Sequence, residues 1–262
     1  MNISLVGKHA LVCGSTQGIG RAAAHALASL GARVTLIARN EEALKAAVST
    51  LPVLEGQHHA HIVADFSDTA SVRKGVHAFM KANAPVHILV NNSGGPKPGE
   101  AISAGTDDFE RAFAHHLINN QTLVQAVVDG MREAKYGRVI NVISTSVREP
   151  IRGLGVSNTI RAAVAGWAKT LSVELAPFGI TVNNVLPGAT RTARLESLLV
   201  SKAAKARVSE ADIEKEMLAE IPAGRFASPD EIGDVIAFLA SPAAGYINGV
   251  SLAVDGGRMR SL

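Results

Sequence analysis

The sequence has little of what secreted or membrane proteins need. It contains one cysteine, Cys13, among 262 residues, so an internal disulfide is excluded. Its first residues carry no charged segment followed by a long apolar stretch, which argues against secretion and against a membrane span. A chain of this length buries enough surface to fold without such supports. We therefore expect one cytoplasmic domain, spanning residues 1–262, with no membrane partner.

Long runs of like charge are also missing. Lys and Arg number 26 against 23 Asp and Glu, which gives a formal net charge of +3, and these residues are scattered along the chain. This pattern disfavours a dedicated nucleic-acid binder. The small excess of positive charge suits an anionic small molecule.

Short β-rich apolar runs alternate with segments of helical composition along the whole chain. The runs are 9–13, 33–38, 61–64, 87–90, 138–143, 180–186 and 250–254. The helical segments are about 18–30, 41–50, 68–82, 106–134, 153–177 and 229–240. This alternation predicts an α/β fold, with a doubly wound parallel sheet of about seven strands and helices on both faces. Runs that are apolar at nearly every position are typical of strands covered on both sides.

One helical stretch, at about 193–221, interrupts this alternation. Residues 191–207 carry five basic residues and one acidic residue, whereas residues 208–221 carry five acidic residues and one basic residue. One interpretation is a solvated helical hairpin with complementary charge. The other is a lid over a substrate cleft.

A glycine-rich turn joins the first predicted strand to the first predicted helix. Glycines allow a sharp turn and close approach to a pyrophosphate, and a helix N-terminus offers free N–H groups. A purely structural turn is the alternative. The predicted phosphate loop consists of Gly14, Ser15, Thr16, Gln17, Gly18, Ile19 and Gly20.

The residues after the second predicted strand indicate which dinucleotide binds. An acidic residue there would bind the ribose 2′-hydroxyl of NAD, but the sequence has Arg39 and Asn40. A guanidinium without a carboxylate favours the 2′-phosphate of NADP, unless Arg39 is only a solvated surface residue. Asp65 and Phe66 could hold the adenine edge. The turn containing Asn92, Ser93 and Gly94 could pass beside the nicotinamide ribose.

Together these motifs resemble the short-chain dehydrogenase/reductase family over essentially the whole chain. The other carriers are Pro187-Gly188-x-x-x-Thr192 and a C-terminal part similar to the 3-oxoacyl-carrier-protein reductase branch, 224–231 and 254–257. The resemblance implies a Rossmann fold with strand order 3-2-1-4-5-6-7 and an NADP(H) cofactor. It also implies that Pro187, Gly188, Thr190 and Thr192 border that cofactor, and that the chain forms homotetramers, or dimers.

The catalytic motif of this family is altered here. Members use a Tyr as proton donor, a Lys four residues later, a Ser about 13 residues before the Tyr, and an Asn on the preceding helix. The flanking motifs place Ser144 at the Ser position, Ser157 at the Tyr position, Arg161 at the Lys position and His116 at the Asn position. The Lys of the family binds the nicotinamide ribose, so the resemblance implies that Arg161 also binds the cofactor there. No shift of register restores the motif, because the only tyrosines, Tyr136 and Tyr246, have no Lys four residues on.

The altered site leaves two functions open. In the first, the protein transfers a hydride between NADP(H) and a carbonyl or alcohol substrate through Ser144, Ser157, Arg161 and His116. The resemblance to the 3-oxoacyl-carrier-protein reductase branch makes an acyl thioester one candidate substrate. His116 is then the natural substitute proton donor or relay member, since its unperturbed pKa lies near neutrality, although it could equally be a packed helix residue. In the second, the protein is an inactive NADP(H)-binding sensor or scaffold.

Two further clusters have weaker interpretations. Arg148 and Arg152, after Ser144, could bind an anionic substrate group, although they could equally be solvated loop residues. The histidines of residues 58–61 lack a carboxylate or cysteine to complete a ligand set, so we expect no metal site.

Overall fold

In the computed structural model, which describes residues 1–54, 56–83 and 85–261, the strands form one parallel sheet. Its order is β3-β2-β1-β4-β5-β6-β7, as the family resemblance implies. Each predicted strand begins and ends within about one residue of an observed one. The strands are β1 (His9–Cys13), β2 (Arg33–Ala38), β3 (Ala60–Val63), β4 (Ile88–Asn91), β5 (Gly137–Val142), β6 (Ile180–Pro187) and β7 (Ser251–Val254).

Helices cover both faces of this sheet. They are α1 (Gly18–Ser29), α2 (Glu41–Ser49), α3 (Thr69–Ala82), α4 (Thr106–Phe113), α5 (Asn119–Glu133), α6 (Gly155–Leu175), α7 (Ala193–Ala206), α8 (Glu210–Ala219) and α9 (Pro229–Ala240). No helix in the described ranges is long and apolar enough to cross a membrane.

The apolar strands are buried because each contributes side chains to two cores. In β1, Ala10 and Val12 pack in one core with α1, α2 and α9. Leu11 and Cys13 pack in the other with α3, α5 and α6. Successive side chains of a strand point to opposite faces, so the continuous apolar run supplies both cores.

The long helix predicted over 106–134 is not regular. Its middle turn, Ala114–Ile118, is a π-helical segment between α4 and α5. Such a turn holds one extra residue and often lies at a functional site. It turns the backbone so that His116 is buried beneath α6, which packs against this segment.

The stretch predicted as a helical hairpin forms α7 and α8. Arg207 ends α7 in the left-handed conformation, with φ +58°, and Ser209 and Asp212 cap α8 reciprocally. The pair has an apolar contact surface, formed by Leu195, Leu199, Ala203, Ile213, Ile221 and Phe226. The stretch is therefore less polar inside than its composition indicates.

Candidate active site

The phosphate loop lies where β1 ends, and its backbone leaves no room for side chains at two glycines. Gly14 has φ +56°, and a Cβ there would lie 2.6 Å from the carbonyl oxygen of Asn92. A Cβ on Gly20 would lie 2.2 Å from the carbonyl oxygen of Gly14. Only glycine fits either position without a shift of the backbone, so these two residues permit the tight turn of the loop.

The helix that follows this loop has free N–H groups at its first turn. Gln17 precedes α1 without forming a side-chain cap, so no side chain competes for these amides. An uncapped helix N-terminus attracts an anion through its amides and its dipole. In the same loop Ser15 is buried, Thr16 and Ile19 are half-buried, and Gln17 is exposed.

Two other segments border the phosphate loop. The Asn92 amide donates hydrogen bonds to the carbonyls of Cys13 and Gly14, both at 3.2 Å. On the other side, Thr192 Cγ2 lies 3.2 Å from where a Cβ on Gly18 would be. The Thr192 hydroxyl caps α7 and donates a hydrogen bond to the Thr190 carbonyl. The Thr190 hydroxyl in turn donates to the carbonyl of Gly188, the residue after Pro187. The structure thus places both segments that were predicted to border the cofactor, the Asn92 turn and residues 187–192, beside the phosphate loop.

Charged side chains lie at the ends of β2 and β3. Arg39 is exposed directly after β2. The carboxylate of Asp65 accepts a hydrogen bond from the Ser67 amide at 2.9 Å, which lowers the pKa of Asp65, and Arg39 lowers it further. The Asn40 side chain caps α2 by accepting from Ala43 N–H at 2.9 Å. Phe66 is buried, and its carbonyl accepts from Asn119 at 2.7 Å.

Arg161 and Ser144 lie together at the end of β5. The Nη1 of Arg161 donates to the Val142 carbonyl at 2.8 Å, two residues before Ser144. Burial and the nearby Arg194 lower the pKa of Arg161 to about 10, which still leaves a cation at neutral pH. Ser144 accepts a hydrogen bond from Ser146 N–H, so its own hydroxyl proton stays free to donate. Ser157 lies one turn before Arg161 on α6 and is half-buried.

His116 is held in the π-helical turn by Ser93. Its Nδ1 lies 2.9 Å from the Ser93 hydroxyl oxygen. Burial, then the charge of Arg161 and then His115 lower the pKa of His116 to about 2. The imidazole is therefore neutral at physiological pH, which makes a relay role more suitable than that of a cationic acid.

Neither tyrosine belongs to this site. Tyr136 precedes β5, so it lies at the N-terminal ends of the parallel strands, whereas the site lies at their C-terminal ends. The Tyr136 hydroxyl donates to the Ala240 carbonyl at 2.6 Å. The charged ends of Lys8 and Arg138 each lie 4.1 Å from its ring centroid. Tyr246 is fully exposed. Burial raises the pKa of Tyr136, so it is also a poorer acid than a free phenol.

Two features of the site are missing from the sequence-based prediction. Side-chain amides form a chain across the sheet, from Asn91 to Asn141 at 2.9 Å and from Asn141 to Asn184 at 3.0 Å, which fixes the strand ends that support the site. Asparagines within otherwise apolar strands were the sequence signal from which this chain of amides could have been predicted. The second feature is Arg194, at the start of α7, whose Nη2 donates to the Pro96 carbonyl at 2.8 Å. Nothing in its sequence context marks it.

One of the histidines near β3 is hydrogen-bonded to the backbone. His59 is hydrogen-bonded through Nδ1 to Val34 N–H and through Nε2 to the Pro52 carbonyl. The described part of the chain contains no group of three or more His, Cys, Asp or Glu residues able to hold a metal ion.

This geometry defines a dinucleotide-binding α/β protein, and comparison with known proteins identifies its family. The family model described as Enoyl-(Acyl carrier protein) reductase matches residues 14–258. The 3-oxoacyl-[acyl-carrier-protein] reductase FabG of Vibrio cholerae serotype O1 is 33% identical over 257 residues, covering 97% of this chain and 98% of the relative. The chain belongs to the short-chain dehydrogenase/reductase family, and it is an oxidoreductase of that family.

Solved structures agree with this assignment. The L-sorbose reductase of Gluconobacter frateurii, complexed with NADPH and L-sorbose, is 28% identical with a TM-score of 0.93, and 100% of each chain is covered. YwfH, an NADPH-dependent reductase involved in bacilysin biosynthesis, is 26% identical with a TM-score of 0.91, covering 97% of this chain and 99% of its own.

The cofactor of this protein is NADP(H), and the described residues fit it. The tight turn at Gly14 and Gly20 and the uncapped start of α1 suit a pyrophosphate. Arg39 offers an exposed cation for the 2′-phosphate, and Asp65 has acceptor oxygens for the adenosine end.

Proposed function

We propose that the protein transfers a hydride between NADP(H) and a carbonyl or alcohol substrate, at a site without a phenol. The observation that carries the proposal is the hydrogen bond from Arg161 to the Val142 carbonyl. It holds a buried cation against Val142, two residues before Ser144, at the end of the sheet where the phosphate loop also lies. A fixed positive charge in a buried cleft stabilises the oxyanion that develops on a carbonyl oxygen.

Each side chain of the site has a separate role in this reaction. NADPH supplies the hydride when the reaction runs toward reduction. Ser144 donates its free hydroxyl proton in a hydrogen bond to the substrate oxygen, and Arg161 balances the negative charge that develops there. Ser157, one turn before Arg161, is a second hydroxyl on the same helix. Hydride addition leaves a negative charge on the substrate oxygen, and this oxygen takes up one proton that comes from water through His116 and Ser93. The imidazole accepts a proton at one nitrogen as it releases the proton from the other, so it stays neutral overall.

The primary test follows NADPH absorbance with a panel of β-ketoacyl thioesters, ketones and quinones. We expect turnover with at least one class, because the acceptor oxygen meets both a hydrogen-bond donor and a cation. A protein that binds NADPH and turns over none of these classes would overturn the proposal.

His116→Gln tests the relay. The amide keeps a polar group near Ser93 but cannot pass a proton, so we expect kcat to fall about 100-fold with KM nearly unchanged. His77→Gln, on the exposed face of α3, is the matched control. An unchanged kcat in His116→Gln removes this residue from the mechanism.

A second function is favoured by the pKa values in the cleft. Neither His116, at about 2, nor Arg161, at about 10, titrates near neutrality. A sensor or scaffold that binds NADP(H) without turnover would need no such group. The double variant Ser157→Tyr with Arg161→Lys separates the two cases: activity that appears only in this variant supports the sensor, whereas activity already present in the wild type excludes it.

The helical pair α7 and α8 acts as a lid over the substrate cleft, because Arg194 at the start of α7 contacts the loop after β4.

The proposal also includes the oligomeric state and the location of the protein. The family resemblance implies a homotetramer in the cytoplasm, and apolar side chains such as Val173 on α6 and Leu252 on β7 are exposed and available for contacts between subunits. Light scattering coupled to gel filtration should give four times the mass of one chain, and a monomer at micromolar concentration would contradict this.

A further inference from the structure

Two guanidinium groups from distant parts of the chain meet beside Gly95. A Cβ on Gly95 would lie 3.7 Å from Nη2 of Arg161 and 3.8 Å from Nη2 of Arg194. Arg161 comes from α6, and Arg194 comes from the start of α7. Gly95 lies two residues after Ser93, so the pair borders the cleft that contains His116.

Neither guanidinium has a carboxylate partner among the residues that the structure describes. Each is held by one backbone carbonyl instead, that of Val142 for Arg161 and that of Pro96 for Arg194. Neighbouring arginines of the lid region differ, since Arg191 pairs with Glu214 at 2.6 Å. A carbonyl fixes a guanidinium in place without neutralising it, so the cleft holds two like charges.

These charges carry an energetic cost that an anion would remove. The two guanidinium groups repel each other, and 91% of the surface of Arg161 is withdrawn from solvent, with 9% exposed. A buried cation without a counter-ion is unfavourable, whereas a cation that binds an oxyanion through two N–H groups is strongly stabilised. Gly95 has no side chain to occupy the position beside the two Nη2 atoms, and Arg194 is exposed, so an anion can reach the pair from solvent.

We propose that Arg161 and Arg194 bind an oxyanion of the substrate, which is therefore a carbonyl or alcohol compound carrying a carboxylate or a phosphate. This inference rests on the proposed function and names its substrate class. Arg148 does not share the task, because its Nη2 donates to the Ser251 carbonyl on β7 at 3.0 Å. The phosphates of NADP(H) are expected at the phosphate loop and at Arg39. The nicotinamide ribose expected at Arg161 is uncharged, so the pair keeps its positive charge for an anion of the substrate.

The test is a calorimetric titration of the protein saturated with NADP⁺. The probes are oxamate, its uncharged counterpart oxamide, and inorganic phosphate. We expect one saturable site for oxamate or phosphate and none for oxamide. Arg194→Gln should weaken anion binding at least tenfold, and Arg194→Lys should weaken it less. Lys202→Gln, which removes one charge from the exposed face of the same helix, should leave it unchanged.

Three results would overturn the inference. These are the absence of saturable binding of either anion to the wild-type complex, equal binding by Arg194→Gln, and anion binding to the free protein that is lost when NADP⁺ is added, which would assign the pair to the cofactor. Tighter binding of oxamate would identify carboxylates, and tighter binding of phosphate would identify phosphorylated compounds. A titration with NADP⁺ alone tests the proposed function separately, and if it fails the same anion titration is read on the free protein.

Discussion

The nucleotide half of the cleft and its catalytic half are built in different ways. At the phosphate loop, backbone atoms determine what fits, since a Cβ on Gly20 would overlap the Gly14 carbonyl. At the catalytic end, side chains determine the chemistry: His116 touches Ser93, and Arg161 lies close enough to lower the pKa of His116. The sequence predicts that the first half keeps the pattern of its family, whereas the second half has other residues at the positions of the Tyr, the Lys and the Asn.

This difference shows which part of such an enzyme can change. A steric requirement at the backbone admits glycine alone, so the loop cannot vary without losing the cofactor. A requirement for charge can be met by another cation, because Arg161 supplies positive charge at the Lys position. The proton donor is harder to replace, and we propose the neutral His116 with Ser93 as the alternative to a phenol.

The largest effect is expected from a substitution in the phosphate loop, where backbone atoms determine what fits. Gly20→Ala places a methyl group 2.2 Å from the Gly14 carbonyl oxygen, so the loop must move. We expect NADPH affinity to fall more than about 100-fold and the free energy of unfolding to fall by about 3 kcal/mol. Titration with NADPH and thermal unfolding measure both. Gly166→Ala, on α6 where a Cβ would meet nothing within 4 Å, should leave NADPH affinity unchanged and raise the free energy of unfolding by up to about 1 kcal/mol. A Gly20→Ala protein that binds NADPH normally contradicts the steric account.

A smaller effect is expected where the nucleotide half also relies on charge. Arg39→Ala removes the exposed cation after β2, and the loss of a charge-assisted contact to the 2′-phosphate should weaken NADPH binding about tenfold. Binding of NADH should stay as it was, since NADH has no 2′-phosphate. Arg73→Ala, an exposed arginine on α3, is the control. An equal loss for both cofactors would mean that Arg39 does not select between them.

The smallest effect concerns the stability of the catalytic half. The pKa of His116 is about 2 in the folded protein, well below that of a free histidine, so the unfolded chain takes up a proton first as pH falls. Stability is therefore fully present above about pH 6.5 and declines below it, by about 2 kcal/mol at pH 5 from this residue. Denaturant unfolding at pH 7 and pH 5 should show a smaller decline in His116→Gln than in His77→Gln. An identical decline in both would place the cause elsewhere, including His115 and His87, whose pKa values burial also lowers.

The sequence predicted the sheet closely but not the shape of the helix that carries the site. Strand periodicity and apolar runs are local, and every predicted strand appears in the structure. The π-helical turn at Ala114–Ile118 was expected to be regular helix, because composition does not show where a turn takes an extra residue. The hydrogen bond of Tyr136 to the Ala240 carbonyl was also not predictable, since it depends on the packing of α9.

The sequence by itself determined the α/β fold, the glycine loop and the loss of the family's Tyr-x-x-x-Lys motif. These follow from local rules: the spacing of apolar residues, the conformations open to glycine, and the residue type at a given position. Only the tertiary structure decided that Ser93 contacts His116, that the imidazole is neutral, and that Arg161 and Arg194 meet beside Gly95. Electrostatic interactions depend on distance and burial in the folded protein, and neither is written in the order of the residues.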